Sequence, residues 1–150
     1  MNYKYTSRDE TDTMELAQNI ESEKFKNMVI CLDGELGSGK TIFVKGFASA
    51  LGIKDNITSP TFNLIKEYNG GEMDLYHMDM YRIEGDADSI GITDYFTKGG
   101  VCIIEWSDLI KDYLPDERLD IKFKIIDENT RVLVLEPHGV QYEEVCNSVL

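Results

Sequence analysis

Hydrophobic and polar positions along this chain sort into helical and extended segments. Leu16, Ala17 and Ile20 recur at helical spacing. Asp12, with Glu15 as its capping-box partner, predicts a helix from about Asp12 to Phe25. Met28-Val29-Ile30-Cys31-Leu32 is apolar without a break and ends at Asp33-Gly34, the pattern of a buried parallel strand. Ile42, Phe43, Phe47, Ala50 and Leu51 then return to helical spacing, with Gly52 as a stop. Thr61–Tyr68 and Leu75–Tyr81 are β-rich runs separated by Asn69-Gly70-Gly71, which predicts an antiparallel hairpin.

Further along, a short helix is expected around Ala87 to Gly91, followed by Asp94-Tyr95-Phe96. Val101-Cys102-Ile103-Ile104 reads as a buried strand ending in Glu105-Trp106. Ser107 is expected to cap a short helix through Tyr113, stopped at Leu114-Pro115. Leu119, Ile121, Phe123 and Ile125 alternate with polar residues, and Val132 to Leu135 completes a second hairpin. Pro60, Pro115 and Pro137 each fall between expected segments, and residues 140–150 read as a helix or a loose tail. Strand–helix units followed by antiparallel additions predict an α/β fold with a mainly parallel central sheet, antiparallel hairpin additions and flanking helices.

One segment adds chemistry to this outline. Gly34-Glu35-Leu36-Gly37-Ser38-Gly39-Lys40-Thr41 matches the P-loop pattern G-x-x-x-x-G-K-[ST], and it lies between the buried strand and the helix that such a loop requires. Inward backbone N–H groups and the helix N-terminus, continuing into Ile42, form a cradle for a polyanionic phosphate. Lys40 would meet the β/γ-phosphates, and the Thr41 hydroxyl would bind Mg²⁺. The fold class sharpens to a three-layer P-loop NTPase sandwich, with ATP and Mg²⁺ as the expected cofactors.

Such a loop needs a further acid to position the metal, usually at a strand end beside it. Glu105 follows four apolar residues at that place, and Asp79 lies in His77-Met78-Asp79-Met80-Tyr81-Arg82, where alternation puts His77, Asp79 and Tyr81 on one side. Ser59-Pro60-Thr61-Phe62 offers a loop hydroxyl, with Thr61 the candidate to sense the γ-phosphate or metal. His77 reads more readily as a hydrogen-bonded structural histidine than as a catalyst. Trp106 reads as packing or a partner contact. Arg131, opening the last strand, is either an exposed hairpin charge or a nucleotide contact.

Composition narrows the partners. The 150 residues fit one domain, with the motifs lying between about residues 6 and 136. Twenty-eight acidic residues against 15 basic ones give a net charge of −13, which argues against autonomous binding to nucleic acid. An acidic protein can still serve an RNA pathway if a basic partner holds the RNA. Cys31, Cys102 and Cys146 show no paired spacing and read as buried hydrophobes. The N-terminus lacks a signal-peptide core and no run reaches membrane-spanning length, so a cytoplasmic location is expected.

Taken together, the P-loop, Ser59-Pro60-Thr61-Phe62, His77-Met78-Asp79-Met80-Tyr81-Arg82 and Glu105-Trp106 resemble the bacterial tRNA threonylcarbamoyladenosine biosynthesis ATPase family, TsaE. The resemblance implies a small ATPase that serves a carbamoyl-transfer complex of TsaD-type and TsaB-type subunits. That complex modifies adenosine next to the anticodon in tRNAs reading codons that begin with A. The ATPase would touch tRNA only through the complex, and its cycle would reset the complex between turnovers. By position, Lys40 and Thr41 take the phosphate and metal roles. Asp79 and Glu105 take the Mg²⁺-linked acid roles, and Thr61 that of a switch threonine. The segment from Ser7 to Thr11, Thr11 included, and Arg131 resemble the adenine and ribose surroundings.

Two other readings stand beside this one. A small P-loop metabolite kinase would close an arginine-bearing lid over its substrate. Of the four arginines, Arg8, Arg82, Arg118 and Arg131, none sits in a Gly-flanked insertion. A nucleotide-gated interaction module would use binding without useful hydrolysis.

Overall fold

A computed structural model describes residues 2–60, 64–83 and 91–150. The expected buried strand is β2 (Val29–Asp33), following β1 (Tyr3–Ser7) and α1 (Glu10–Glu21). The P-loop leads from β2 into α2 (Lys40–Leu51). Then come β3 (Ile65–Tyr68), β4 (Leu75–Asp79), β5 (Val101–Glu105), β6 (Arg118–Ile125), β7 (Arg131–His138) and α3 (Val140–Val149). Two 3₁₀ segments, Ile92–Thr97 and Ser107–Tyr113, flank β5. Thr61 and Phe62 of the Ser59–Phe62 loop, and residues 87–90 of the expected short helix, lie outside the described residues.

The described strands form a seven-stranded sheet in the order β1-β7-β6-β2-β5-β4-β3. Its centre is parallel: β2 pairs with both β5 and β6, and β4 pairs with β5. Antiparallel pairs extend both edges, β3 on β4 at one and β6-β7-β1 at the other. Both hairpins expected from alternation are present. The larger core fills the face under α1, α2 and α3, with Ile30, Leu32, Phe43, Phe47 and Leu133 fully buried. The opposite face buries Cys31, Met78, Cys102 and Ile104 beneath the 3₁₀ segments, through Ile92 and Ile110. The parallel strands β2, β4 and β5 end at Asp33, Asp79 and Glu105. Crevices at such strand ends are where open α/β sheets bind ligands.

Several local features differ from the expectation. The first helix is capped by Asp9, whose Oδ1 accepts from the Asp12 N–H at 3.0 Å; the Arg8 N–H in turn donates to Asp12 Oδ2 at 2.9 Å. Asp12 is therefore a partner inside the first turn and not the cap. The helix ends at Glu21, and Phe25 turns back to pack its ring 5.2 Å from that of Tyr142. Strand β1, unexpected, pairs from Tyr3 with Leu135 to Ser7 with Arg131. Pro137 lies within β7, opposite Leu119, beyond the point at which β1 has stopped pairing. The last residues form a helix anchored by the Tyr142 hydroxyl, which accepts from the Val29 N–H at 2.9 Å. Helices α1 and α2 meet at Gly46, where an added Cβ would lie 2.8 Å from Met14 Cα and carbonyl oxygen.

Candidate nucleotide and metal site

Sheet register brings the site's acids together. Asp79 at the end of β4 is paired with Glu105 at the end of β5, and Glu105 with Leu32 on β2, one residue before Asp33. The loop that follows β2 is strongly constrained. Gly34 has φ +156°, and a Cβ there would lie 2.9 Å from the Phe123 carbonyl and 2.8 Å from Ser38 Oγ. Only glycine lets the chain pass β6 so closely. Gly39, at φ +106°, turns the chain into α2, leaving the first-turn amides of that helix open to an anion.

A cavity of about 310 Å³ opens over this loop, at the lower end of the range for small-ligand pockets. Leu36 to Ile42 line it together with Ser59, Asp79, Glu105, Trp106, Asn129 and Arg131. Gly34 and Glu35 are not part of the wall; their carbonyls accept hydrogen bonds from Lys40 Nζ, at 3.1 Å for Glu35. The Lys40 ammonium also lies 4.2 Å from the centre of the Trp106 ring. Burial pushes Lys40 below its ordinary pKa, against the pull of Glu105, Asp33 and Asp79. Ser38 Oγ is buried without a hydrogen-bond partner among the described residues.

The Thr41 hydroxyl is the meeting point of the polar groups. It lies 3.2 and 3.3 Å from the Glu105 carboxylate oxygens and 3.1 Å from Ser59 Oγ. Glu105 is only 3% exposed, and its Oε2 is 2.6 Å from His77 Nε2. Asp79 accepts the Tyr81 N–H at 3.0 Å. Burial raises the Asp79 carboxyl above its usual range and Glu105 adds to the rise; the Tyr81 N–H, His77 and Lys40 oppose it.

Among the described residues, no group of three or more His, Cys, Asp or Glu could hold a metal by itself. Mg²⁺ at phosphate sites takes only one or two carboxylates and completes its shell with phosphate oxygens and water. The Thr41 hydroxyl beside Glu105 and Asp79 fits that ion, and the glycine-rich loop fits the phosphates.

Not every expected site residue is brought into the cavity. Thr11 is exposed and does not line it, because α1 begins at Glu10. Glu10 and Thr13, three residues apart, share the face that does. Arg131 does reach the loop: its guanidinium donates to the Gly37 carbonyl at 3.2 Å and to that of Asp127 at 2.7 Å. Thr61 lies outside the described residues.

Other residues at the site escaped the sequence reading. Asp33 accepts from the Ser107 hydroxyl and from the Asp108 N–H, at 3.1 Å for the latter. Ser107 thus ties down its segment through Asp33, while Trp106, left-handed at φ +59°, occupies the cap position. An acid ending an apolar strand was the signal that singled out Glu105, and it applied equally to Asp33. Nothing local marked the Trp106–Lys40 contact.

Comparison with known proteins bears on this geometry. A family model described as "Threonylcarbamoyl adenosine biosynthesis protein TsaE" matches residues 7–133. The chain is 46% identical over 121 residues to the tRNA threonylcarbamoyladenosine biosynthesis protein TsaE of Bacillus subtilis (strain 168), covering 81% of this chain and 77% of that protein. To the protein of the same name from Treponema pallidum (strain Nichols) it is 40% identical over 109 residues, 71% of this chain and 80% of the other. The crystal structure of Bacillus subtilis YdiB superposes with a TM-score of 0.84 at 38% identity, covering 99% of this chain and 94% of that one.

Proposed function

Because this chain belongs to the TsaE family, we propose that it binds ATP with Mg²⁺ in the P-loop cavity and hydrolyses it in the service of tRNA threonylcarbamoyladenosine biosynthesis. One observation carries the enzymatic half of this reading. The Thr41 hydroxyl, at the head of α2, stands within 3.3 Å of the Glu105 carboxylate and one residue from Lys40. A hydroxyl, an acid and a lysine converging beside a glycine loop are what an NTPase needs to hold metal-bound phosphates in line.

Lys40 would leave the loop carbonyls to neutralise the β/γ-phosphates, its lowered pKa recovering beside that negative charge. Thr41 and Glu105 would hold Mg²⁺, with Asp79 alongside. Bound there, the ion offsets charge on the transferred phosphoryl group. Arg131 and the α1 face of Glu10 and Thr13 would bound the nucleoside end. Thr61, on the loop after Ser59, is the switch candidate.

The whole chain of residues 1–150 would act as one domain, working with TsaD-type and TsaB-type subunits. A net charge of −13 suits an accessory that leaves tRNA to its partners. We place this work in the cytoplasm; among the described residues no helix is long and apolar enough to cross a membrane.

The test is ATP hydrolysis by the isolated chain, with and without Mg²⁺, and then with the TsaD- and TsaB-type subunits added. Slow Mg²⁺-dependent turnover, accelerated by those subunits, is the expected result. Phosphate transfer to a small molecule would instead make the protein a kinase. ATP binding with no hydrolysis, even with partners present, would leave only a nucleotide-gated module.

A further inference from the structure

His77 is fully buried on β4, and its Nε2 stands 2.6 Å from Glu105 Oε2. The sheet makes this contact possible. His77 is paired with Ile103 and Asp79 with Glu105, so His77 and Glu105 lie diagonally on the same face of adjacent parallel strands. The imidazole occupies one carboxylate oxygen from the core side, while the Thr41 hydroxyl lies 3.2–3.3 Å from the two oxygens.

The other ring nitrogen decides the chemistry. His77 Nδ1 is buried and has no hydrogen-bond partner among the described residues. A proton there would be a buried, unsatisfied donor, and the bare Nε2 lone pair would face the lone pairs of Glu105. A proton on Nε2 alone gives the carboxylate a donor and leaves only an empty acceptor at Nδ1.

We infer that His77 is a positioning residue: through its Nε2–H it clamps the buried Glu105 carboxylate in the orientation that presents it to Thr41 and to a Mg²⁺ held there. The inference rests on the reading of Glu105 as a Mg²⁺-linked acid and adds the group that aims it. Partners of this kind, standing behind a metal-linked side chain, restrict its rotation, and their loss costs roughly 10–100-fold in metal affinity.

Two measurements test it. The first uses the protein without nucleotide or metal. His77 and His138 are the only histidines, so in a His138→Gln variant long-range ¹H–¹⁵N NMR reports on His77 alone. A proton on Nε2 is expected; an Nδ1–H tautomer, with Nε2 bare towards Glu105, overturns the clamp whatever the nucleotide does.

The second compares His77→Gln, whose side-chain amide can still offer a donor near the Nε2 position, with His77→Phe, which cannot. ADP affinity is measured with and without Mg²⁺. In His77→Phe the Mg²⁺-dependent gain should fall about tenfold or more, while Mg²⁺-free affinity holds and His77→Gln regains most of the loss. Equal behaviour of the two variants, or equal loss with and without Mg²⁺, overturns the positioning role. Glu105→Gln separates the levels: if it leaves the Mg²⁺ dependence intact, the metal role of Glu105 falls, and the inference falls with it.

Discussion

Asp79 shows what the site costs the fold. Burial raises its carboxyl above the ordinary value, so the folded state holds the proton more tightly than the unfolded chain does. The stability this contributes is present below the unfolded pKa and is lost as pH rises through the folded one, so at neutral pH the ionised group is a burden. Asp79→Asn should therefore melt at a higher temperature than the parent at pH 7, with the gap narrowing as the pH falls towards 4, while Mg²⁺-dependent hydrolysis drops. Calorimetric melting across that pH range checks it; an unchanged or lower melting temperature at pH 7 would contradict the burial argument. Lys40→Ala should lose turnover by at least about 100-fold while melting within a few degrees of the parent. Much of this was legible at the residue scale. The glycine loop, Asp79 and Glu105 announce themselves by spacing and strand-end position. Trp106 over Lys40, Thr41 against Ser59 and the choice of Thr13 over Thr11 arise from helix phase and from contacts between distant segments, which no local pattern encodes.

Helices α1 and α2 depend on a close approach at Gly46. Replacing a helical glycine by alanine gains about 1 kcal/mol of helix propensity, but here the new methyl would lie 2.8 Å from Met14 backbone atoms. Backbone cannot step aside as a side-chain end can, and overpacking costs typically about 1–3 kcal/mol. Gly46→Ala is thus expected to be net destabilising in urea denaturation; a stabilised variant would show that the helices separate freely. The elements with strong periodicity, β2, α2, β5 and the two hairpins, were readable because each carries its own apolar face. Strand β1 was not. Its apolar content is two tyrosines, only Ser7 is fully buried, and it pairs with β7 more than 120 positions away. The start of α1 was misplaced because Asp9 and Asp12 both offer a capping carboxylate; Asp9 takes the cap, held from β1 by the Ser7 hydroxyl, which donates to the Asp9 carbonyl at 2.7 Å.

Across the whole molecule, a parallel-centred sheet carries its acids to one edge and keeps its thiols out of reach. Cys31, Cys102 and Cys146 are buried, and burial pushes Cys102 up to about 12 and Cys146 to about 11. The native protein should therefore resist alkylation by iodoacetamide at pH 8 and react only on unfolding, as mass spectrometry would reveal; rapid native labelling would contradict the packing of both cores. Calorimetric titration of Mg²⁺ and ATP into the folded chain and into its Lys40→Ala variant tests nucleotide binding at the P-loop most directly. One site per chain is expected in the parent, weakened when Mg²⁺ is withheld, with severe loss in the variant. No heat in the parent, or the same isotherm in both proteins, would contradict it.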